Sequence, residues 1–331
     1  MISIRENMLK VYHHEIPDFL PLIEDIQNIA TVEPGFSREI YKGEKSLPLD
    51  VDWFGQEWIL EPNINAYNPN VNNYIIEDMS EWRKYITIPD PDSVDWKSFF
   101  DKKNIVVNRN KVVLIKDGFG LWERAFSMVP IVDLLCSLLT DPEACKDFFG
   151  AVADYKIKMH NYYIEYYNPD ILLMHDDYGS GQGLFMSPDT WRELIKPHLQ
   201  RVIDNIRDHG VIYEHHCCGI LRPLCPEIAE MGADAWENVH VANDPVACKA
   251  EFGDKLAFIG GVGDTQYLDS DNRTEDEIRN SIRKTMDEML PGVGTVIYIA
   301  CKAHPERKKF ISNEIYNYGQ QFFKEKRPDF S

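Results

Sequence analysis

The sequence predicts an α/β protein, a (β/α)8 TIM barrel with an elaborated N-terminal segment, and three observations carry that reading. From about residue 105 onward, short apolar runs alternate with longer helical patterns, the signature of parallel βα units. The helices between those runs open on recognisable start signals. Polar clusters then follow the apolar runs at six strand ends, and a barrel gathers all its strand ends on one face, where catalytic groups collect. An open sheet would place its site at one switch point instead.

The first hundred residues have a different texture. Val51-Asp52-Trp53-Phe54-Gly55-Gln56-Glu57-Trp58 and Ile88-Pro89-Asp90-Pro91-Asp92 are aromatic, punctuated by proline and poorly periodic, so residues 1–104 read as an elaboration packed on the barrel and covering its mouth. Residues 105–331 carry the main βα repeats, with strands predicted at 112–115, 171–174, 211–213, 235–239, 256–259 and 296–300. Asp141-Pro142-Glu143 supplies an N-cap acid, a proline at the first helical position and an acidic first turn. Ser187-Pro188-Asp189 repeats the device, and Pro197 predicts a kink in the helix that follows. No internal repeat, low-complexity tract or flexible linker interrupts the chain, so one domain over 1–331 is expected.

With 331 residues, 44% hydrophobic and 27% charged, the composition is that of a soluble globular protein with a large core. No apolar run approaches the roughly 18–20 residues that span a bilayer, and Met1-Ile2-Ser3-Ile4-Arg5-Glu6-Asn7 has no signal-peptide core. A cytoplasmic location and no membrane partner are expected. The net charge of −19 repels phosphate backbones and anionic lipid, which sets nucleic acid aside as a partner. Seven cysteines in a chain of this kind do not read as a disulfide framework.

Two of the strand-like runs end in soft metal ligands: His216-Cys217-Cys218-Gly219 follows Val211-Ile212-Tyr213, and Cys301 ends Thr295-Val296-Ile297-Tyr298-Ile299-Ala300. Residues two apart on a strand point the same way, so His216 can grip an ion with Cys218, and His215 can do so with Cys217 on the opposite face. Spacing alone does not choose between these pairs. With Cys301 as third ligand, a Cys₂His set suits zinc and leaves a tetrahedral position open for a reactant. The competing reading makes the cysteines small core hydrophobes. Glu214 shares strand parity with His216 and Cys218, which makes it a candidate to orient a ligand or donate a proton. Asp176-Asp177 follows the 171–174 run, and adjacent acids are costly to bury unless hydrogen-bonded, protonated or beside a cation. One of the two is expected to cap a turn, with Asp177 the one near the reactant. Asp176, Tyr178 and His240, all at strand ends, are the expected substrate-binding residues. Gly260-Gly261-Val262-Gly263-Asp264 fits neither phosphate-binding glycine pattern.

Asp176-Asp177-x-Gly179, Gly183-Leu184-Phe185-Met186-Ser187-Pro188, Lys196-Pro197, His216-x-Cys218-Gly219, Gly232-Ala233-Asp234 and Phe258-Ile259-Gly260-Gly261-Val262 together resemble the uroporphyrinogen decarboxylase superfamily. The H-x-C-G element with a distant cysteine is similar to its corrinoid-dependent methyltransferase branch. That resemblance implies zinc on His216, Cys218 and Cys301, a corrinoid supplied by a partner protein, and a small methylated substrate. The aromatic elements around Trp53, Phe54 and Trp58 resemble the branch that demethylates methoxylated aromatics, implying transfer of a methyl group from a phenyl methyl ether to Co(I). The resemblance also admits the second step, methylcorrinoid to thiol, and a metal-free decarboxylase. For the decarboxylase, the arginine-rich N-terminal motif is not found before residue 60.

Overall fold

The computed structural model describes residues 2–34, 49–61, 66–260, 265–268, 270–298, 304 and 306–325. In chain order its strands are β1 (Ile26–Ala30), β2 (Leu49–Val51), β3 (Glu57–Glu61), β4 (Ala66–Pro69), β5 (Val112–Asp117), β6 (Ile171–His175), β7 (Gly179–Ser180), β8 (Gly183–Leu184), β9 (Ile212–His216), β10 (Ala235–Val239), β11 (Ala257–Gly260) and β12 (Thr295–Val296). The helices are α1 (Ile4–Tyr12), α2 (Trp96–Lys103), α3 (Leu121–Met128), α4 (Ile131–Thr140), α5 (Pro142–Tyr167), α6 (Pro188–Leu194), α7 (Lys196–Asp208), α8 (Cys225–Glu230), α9 (Pro245–Phe252), α10 (Thr265–Leu268), α11 (Glu275–Met289) and α12 (Arg307–Glu325).

Seven parallel strands form one curled sheet in the order β1-β5-β6-β9-β10-β11-β12. Leu22, in the segment leading into β1, bridges in parallel to Ile297, directly after β12, so the two edges of the sheet meet. The fold is a TIM-like α/β barrel. The described residues supply seven strands of the expected eight, and the last predicted strand runs past 298 into residues outside the description. β1 lies inside the stretch read as N-terminal elaboration, so the barrel begins near residue 26 rather than 105. Its sequence, Ile-Gln-Asn-Ile-Ala, is too short and polar to stand out as a strand.

Strand alternation sorts the side chains into two layers. An inner cluster joins Ile26, Val112, Leu114, Ile171, Leu173, Ala235, Ala257, Ile259 and Val296 to Met8, Val11 and Tyr12. These strand residues lie toward the strand starts, so α1 forms the floor of the barrel. It begins on a capping box of Ser3 and Glu6, which satisfies its first free N–H groups. The alternate residues, among them Val113, Ile115, Leu172, Met174, Tyr213, Trp236 and Phe258, join the larger cluster under the outer helices. The break expected at Pro197 separates α6 from α7, because proline denies the helix a donor there.

β2, β3 and β4 form a small antiparallel sheet. Trp58 of β3 donates from Nε1 to Asp52 at 2.9 Å and meets Phe119, in the loop after β5, with ring centroids 4.7 Å apart. The fully buried Arg124 of α3 donates to Asp52 at 2.6 Å and to Glu33 at 2.7 Å. Among the described residues no helix is long and apolar enough to cross a membrane.

Candidate metal centre at the barrel mouth

At the ends of β6 and β9 the inner-face positions turn polar. In the sheet register His175 pairs with His216, and His216 pairs with Glu237 on β10. Three adjacent parallel strands thus present these side chains side by side. The His175 and His216 rings stack, their centroids 3.7 Å apart. Each imidazole is backed by a carboxylate: His175 Nδ1 lies 2.7 Å from Glu123 Oε2, and His216 Nδ1 hydrogen-bonds Glu237 Oε2. With Nδ1 occupied in both rings, Nε2 is left for the mouth.

His216 Nε2 lies 3.3 Å from Cys218 Sγ and 3.9 Å from Asp177 Oδ1, and the Cys218 N–H donates to Asp177 Oδ1 at 2.6 Å. His175, Asp177, His216 and Cys218 each offer one ligand atom, all within 4.8 Å of one another. Imidazole nitrogen and thiolate sulfur on one tetrahedral zinc stand about 3.5 Å apart, so the His216–Cys218 spacing fits that ion. A carboxylate behind each ring is also the usual way of fixing the tautomer of a metal-bound histidine. Gly219 completes the loop with φ +71°, and a Cβ there would meet Gly179 O at 2.6 Å, so the H-x-C-G glycine is sterically required.

The electrostatics follow from burial. Burial would raise the Glu237 carboxyl, but its hydrogen bond with His216, the charges of His216 and Lys116 and the Tyr298 hydroxyl hold it at about 2. Burial pushes both His175 and His216 below the ordinary imidazole value, against the neighbouring carboxylates. That shift favours the neutral imidazole, the form that binds metal. Glu214 sits on the inner face one pair below His216. Burial and then the Glu237 charge push it up to about 8, and the Tyr12 hydroxyl donates to it at 2.7 Å. Glu123 is raised well above its ordinary value by burial and by the charges of Asp177 and Asp176.

The structure brings His216, Cys218 and Asp177 together, and places Glu214 beneath them. Cys301 lies outside the described residues. The rival pair faces the helices: His215 accepts or donates at Tyr213 Oη, 2.9 Å away, and Cys217 is buried in the outer core. Two of the residues expected to touch substrate are engaged elsewhere. Asp176 is fully buried and accepts from the N–H groups of Leu121, Trp122 and Glu123, at 2.9–3.2 Å, and from the Tyr178 hydroxyl at 2.7 Å. The residue after β6 turns outward, where α3 begins at Gly120 without a side-chain cap, and Asp176 fills that role. A Cβ on Gly120 would lie 2.3 Å from Asp176 Cγ. Tyr178 is buried in the same layer, between Trp191 and His215. His240 caps the short turn after β10, its Nδ1 accepting from the Ala242 N–H at 3.1 Å.

Sequence reasoning missed His175, Glu237 and Glu123 as parts of the centre. Glu237 had a signal: a carboxylate in the middle of an apolar strand, at inner-face parity with Ala235. Nothing in the sequence set the register that puts it against His216.

A parallel barrel whose mouth carries one thiol, two imidazoles and a carboxylate defines an α/β-barrel protein with a candidate metal centre. The chain belongs to the uroporphyrinogen decarboxylase (URO-D) family, whose family model matches residues 53–308. It is similar in fold to a methyltransferase from Methanosarcina mazei, at a TM-score of 0.58 and 15% identity, over 82% of this chain and 76% of that one. Among curated proteins no match was found.

Proposed function

We propose that the protein is a zinc-dependent methyltransferase that moves a methyl group from a small methylated donor, a phenyl methyl ether, to the Co(I) corrinoid of a partner protein. The observation that carries this reading is the donor set at the mouth, in which His216 and Cys218 share one ion-sized space and each histidine has a carboxylate behind it. In this reading His216, Cys218 and Cys301 hold zinc. Zinc supplies Lewis acidity to an ether oxygen, a poor leaving group whose developing charge must be stabilised. Glu237 fixes the His216 ring through Nδ1, and Glu123 does the same for His175. Asp177, 3.9 Å from His216 Nε2, would then border the leaving oxygen, and Glu214, which accepts from the Tyr12 hydroxyl, would lie beneath it. The fold similarity to a methyltransferase supports the reaction class.

The test is an anaerobic assay of the zinc-loaded protein with reduced corrinoid carrier against methyl ethers, methanol, methylamines and methyl thioethers. Methylcobalt formation that disappears with the metal in Cys218→Ala is the expected result. Turnover only from methylcobalt to a thiol would reverse the step, and full activity in chelated, metal-free protein would sink the zinc-dependent reading.

A further inference from the structure

The loop that carries Cys218 leaves β9 and runs to Arg222, and its backbone is tied on both sides. The Cys217 N–H donates to Glu237 O at 2.8 Å, Trp236 Nε1 donates to Cys217 O at 3.2 Å, and the Ile220 N–H donates to Ser180 O at 2.9 Å. Beyond Cys218, three further backbone groups converge on one side chain, Asn243, which ends the short turn after β10. Asn243 Oδ1 accepts from the Leu221 N–H at 2.8 Å and from the Arg222 N–H at 3.0 Å, while Nδ2 donates to Gly219 O at 2.8 Å. A second donation, to His240 O at 3.1 Å, secures the amide to its own turn. The residue is 1% exposed.

Both lone pairs and both N–H groups of this buried amide are in use, so its partners fix which end is oxygen. An ionised acid of the same size could not donate to Gly219 O, and an apolar residue would strand two buried N–H groups. β10 and its loop therefore reach the candidate metal centre twice. Glu237 orients the His216 ring, and Asn243 sets the course of the chain after Cys218. None of the four Asn243 bonds uses a candidate ligand atom, so they hold the loop with or without an ion. A ligand already in place spares the metal the cost of ordering that loop. We propose that Asn243 is a positioning residue of the metal centre, holding the backbone after Cys218 so that Sγ stays 3.3 Å from His216 Nε2. This rests on the reading of His216 and Cys218 as zinc ligands.

The experiment compares the full-length wild type with Asn243→Ala and Asn243→Asp. It measures zinc affinity by competition with a chromophoric chelator, the visible spectrum of the Co(II)-substituted protein, and urea unfolding without metal, with methyl transfer assayed separately. In folded Asn243→Ala, zinc affinity is expected to fall about tenfold or more, a difference of about 1.4 kcal/mol, and the thiolate-to-cobalt band to weaken. Asn243→Asp keeps the acceptor for Leu221 and Arg222 and should lose less. A folded Asn243→Ala with wild-type affinity and spectrum overturns the proposal whatever its stability, because a purely structural amide moves only the unfolding midpoint. Should neither variant fold, amide exchange of the wild type decides. Leu221 and Arg222 N–H groups protected without metal support the proposal; protection that arises only on adding zinc overturns it, since the ion would then be forming the loop. Wild-type protein that binds no zinc removes the ligand reading and the proposal with it. Weakened zinc binding in the variants without methyl transfer in the wild type would sink the reaction and keep the positioning role; methyl transfer with zinc affinity insensitive to Asn243 would do the reverse.

Discussion

At His216 one ring nitrogen is taken by Glu237, which leaves the other facing Cys218 Sγ at 3.3 Å. Glu237→Gln keeps the shape and removes the charge that orients the imidazole. Zinc affinity is expected to fall about 10–100-fold, read by competition with a chromophoric chelator. Unchanged affinity would show that His216 needs no acidic partner. Asp176 makes the opposite case, an acid whose acceptors are occupied by α3. Asp176→Ala should cost about 1–3 kcal/mol of stability, with the amides of Leu121 to Glu123 losing exchange protection first. A change in ligand affinity at constant stability would instead return Asp176 to the substrate. Much of this site was legible in the sequence as strand parity, which aligned Glu214, His216 and Cys218. What the sequence withheld was the register between strands, so Glu237 and His175 were invisible as neighbours, and the outward turn after β6, which buries Asp176 and Tyr178 against α3.

At the scale of elements, β5 and α5 are joined through Asp117, which accepts from Lys156 and hydrogen-bonds His160 Nε2, both at 2.8 Å. Burial would raise the Asp117 carboxyl, but the charge and hydrogen bonds of Lys156 and His160 hold it well below the ordinary range. A carboxyl depressed in the folded chain contributes stability that is complete above its ordinary value of 3.8 and is lost as pH falls below that toward the folded value. Denaturant unfolding followed from pH 7 down to about 3 should therefore show falling stability. Asp117→Asn should lose about 3–5 kcal/mol at pH 7, because it strands the buried Lys156 ammonium, and should respond less to acid. A variant with the same acid slope as the wild type would remove Asp117 from the explanation.

For the molecule as a whole, the repeating strand–helix texture after residue 105 was readable because parallel strands buried on both faces leave apolar runs with polar ends. Closure was not readable, since it depends on β1, whose five residues carry two amides, and on a bridge between Leu22 and Ile297. Nor did the sequence announce that α1 belongs to the lumen core. Met8 is fully buried there, and Met8→Ala should lower stability by about 2–5 kcal/mol, read as a lower denaturant midpoint at unchanged m-value. A loss well under 1 kcal/mol would mean that α1 is not part of the cooperative core. The floor made by α1 has a consequence for traffic. A well closed below is loaded and emptied from above, so a large acceptor docked over the rim traps whatever lies beneath it. In the proposed reaction the small donor would then have to enter before the acceptor arrives, and its demethylated remnant would have to wait for the acceptor to leave.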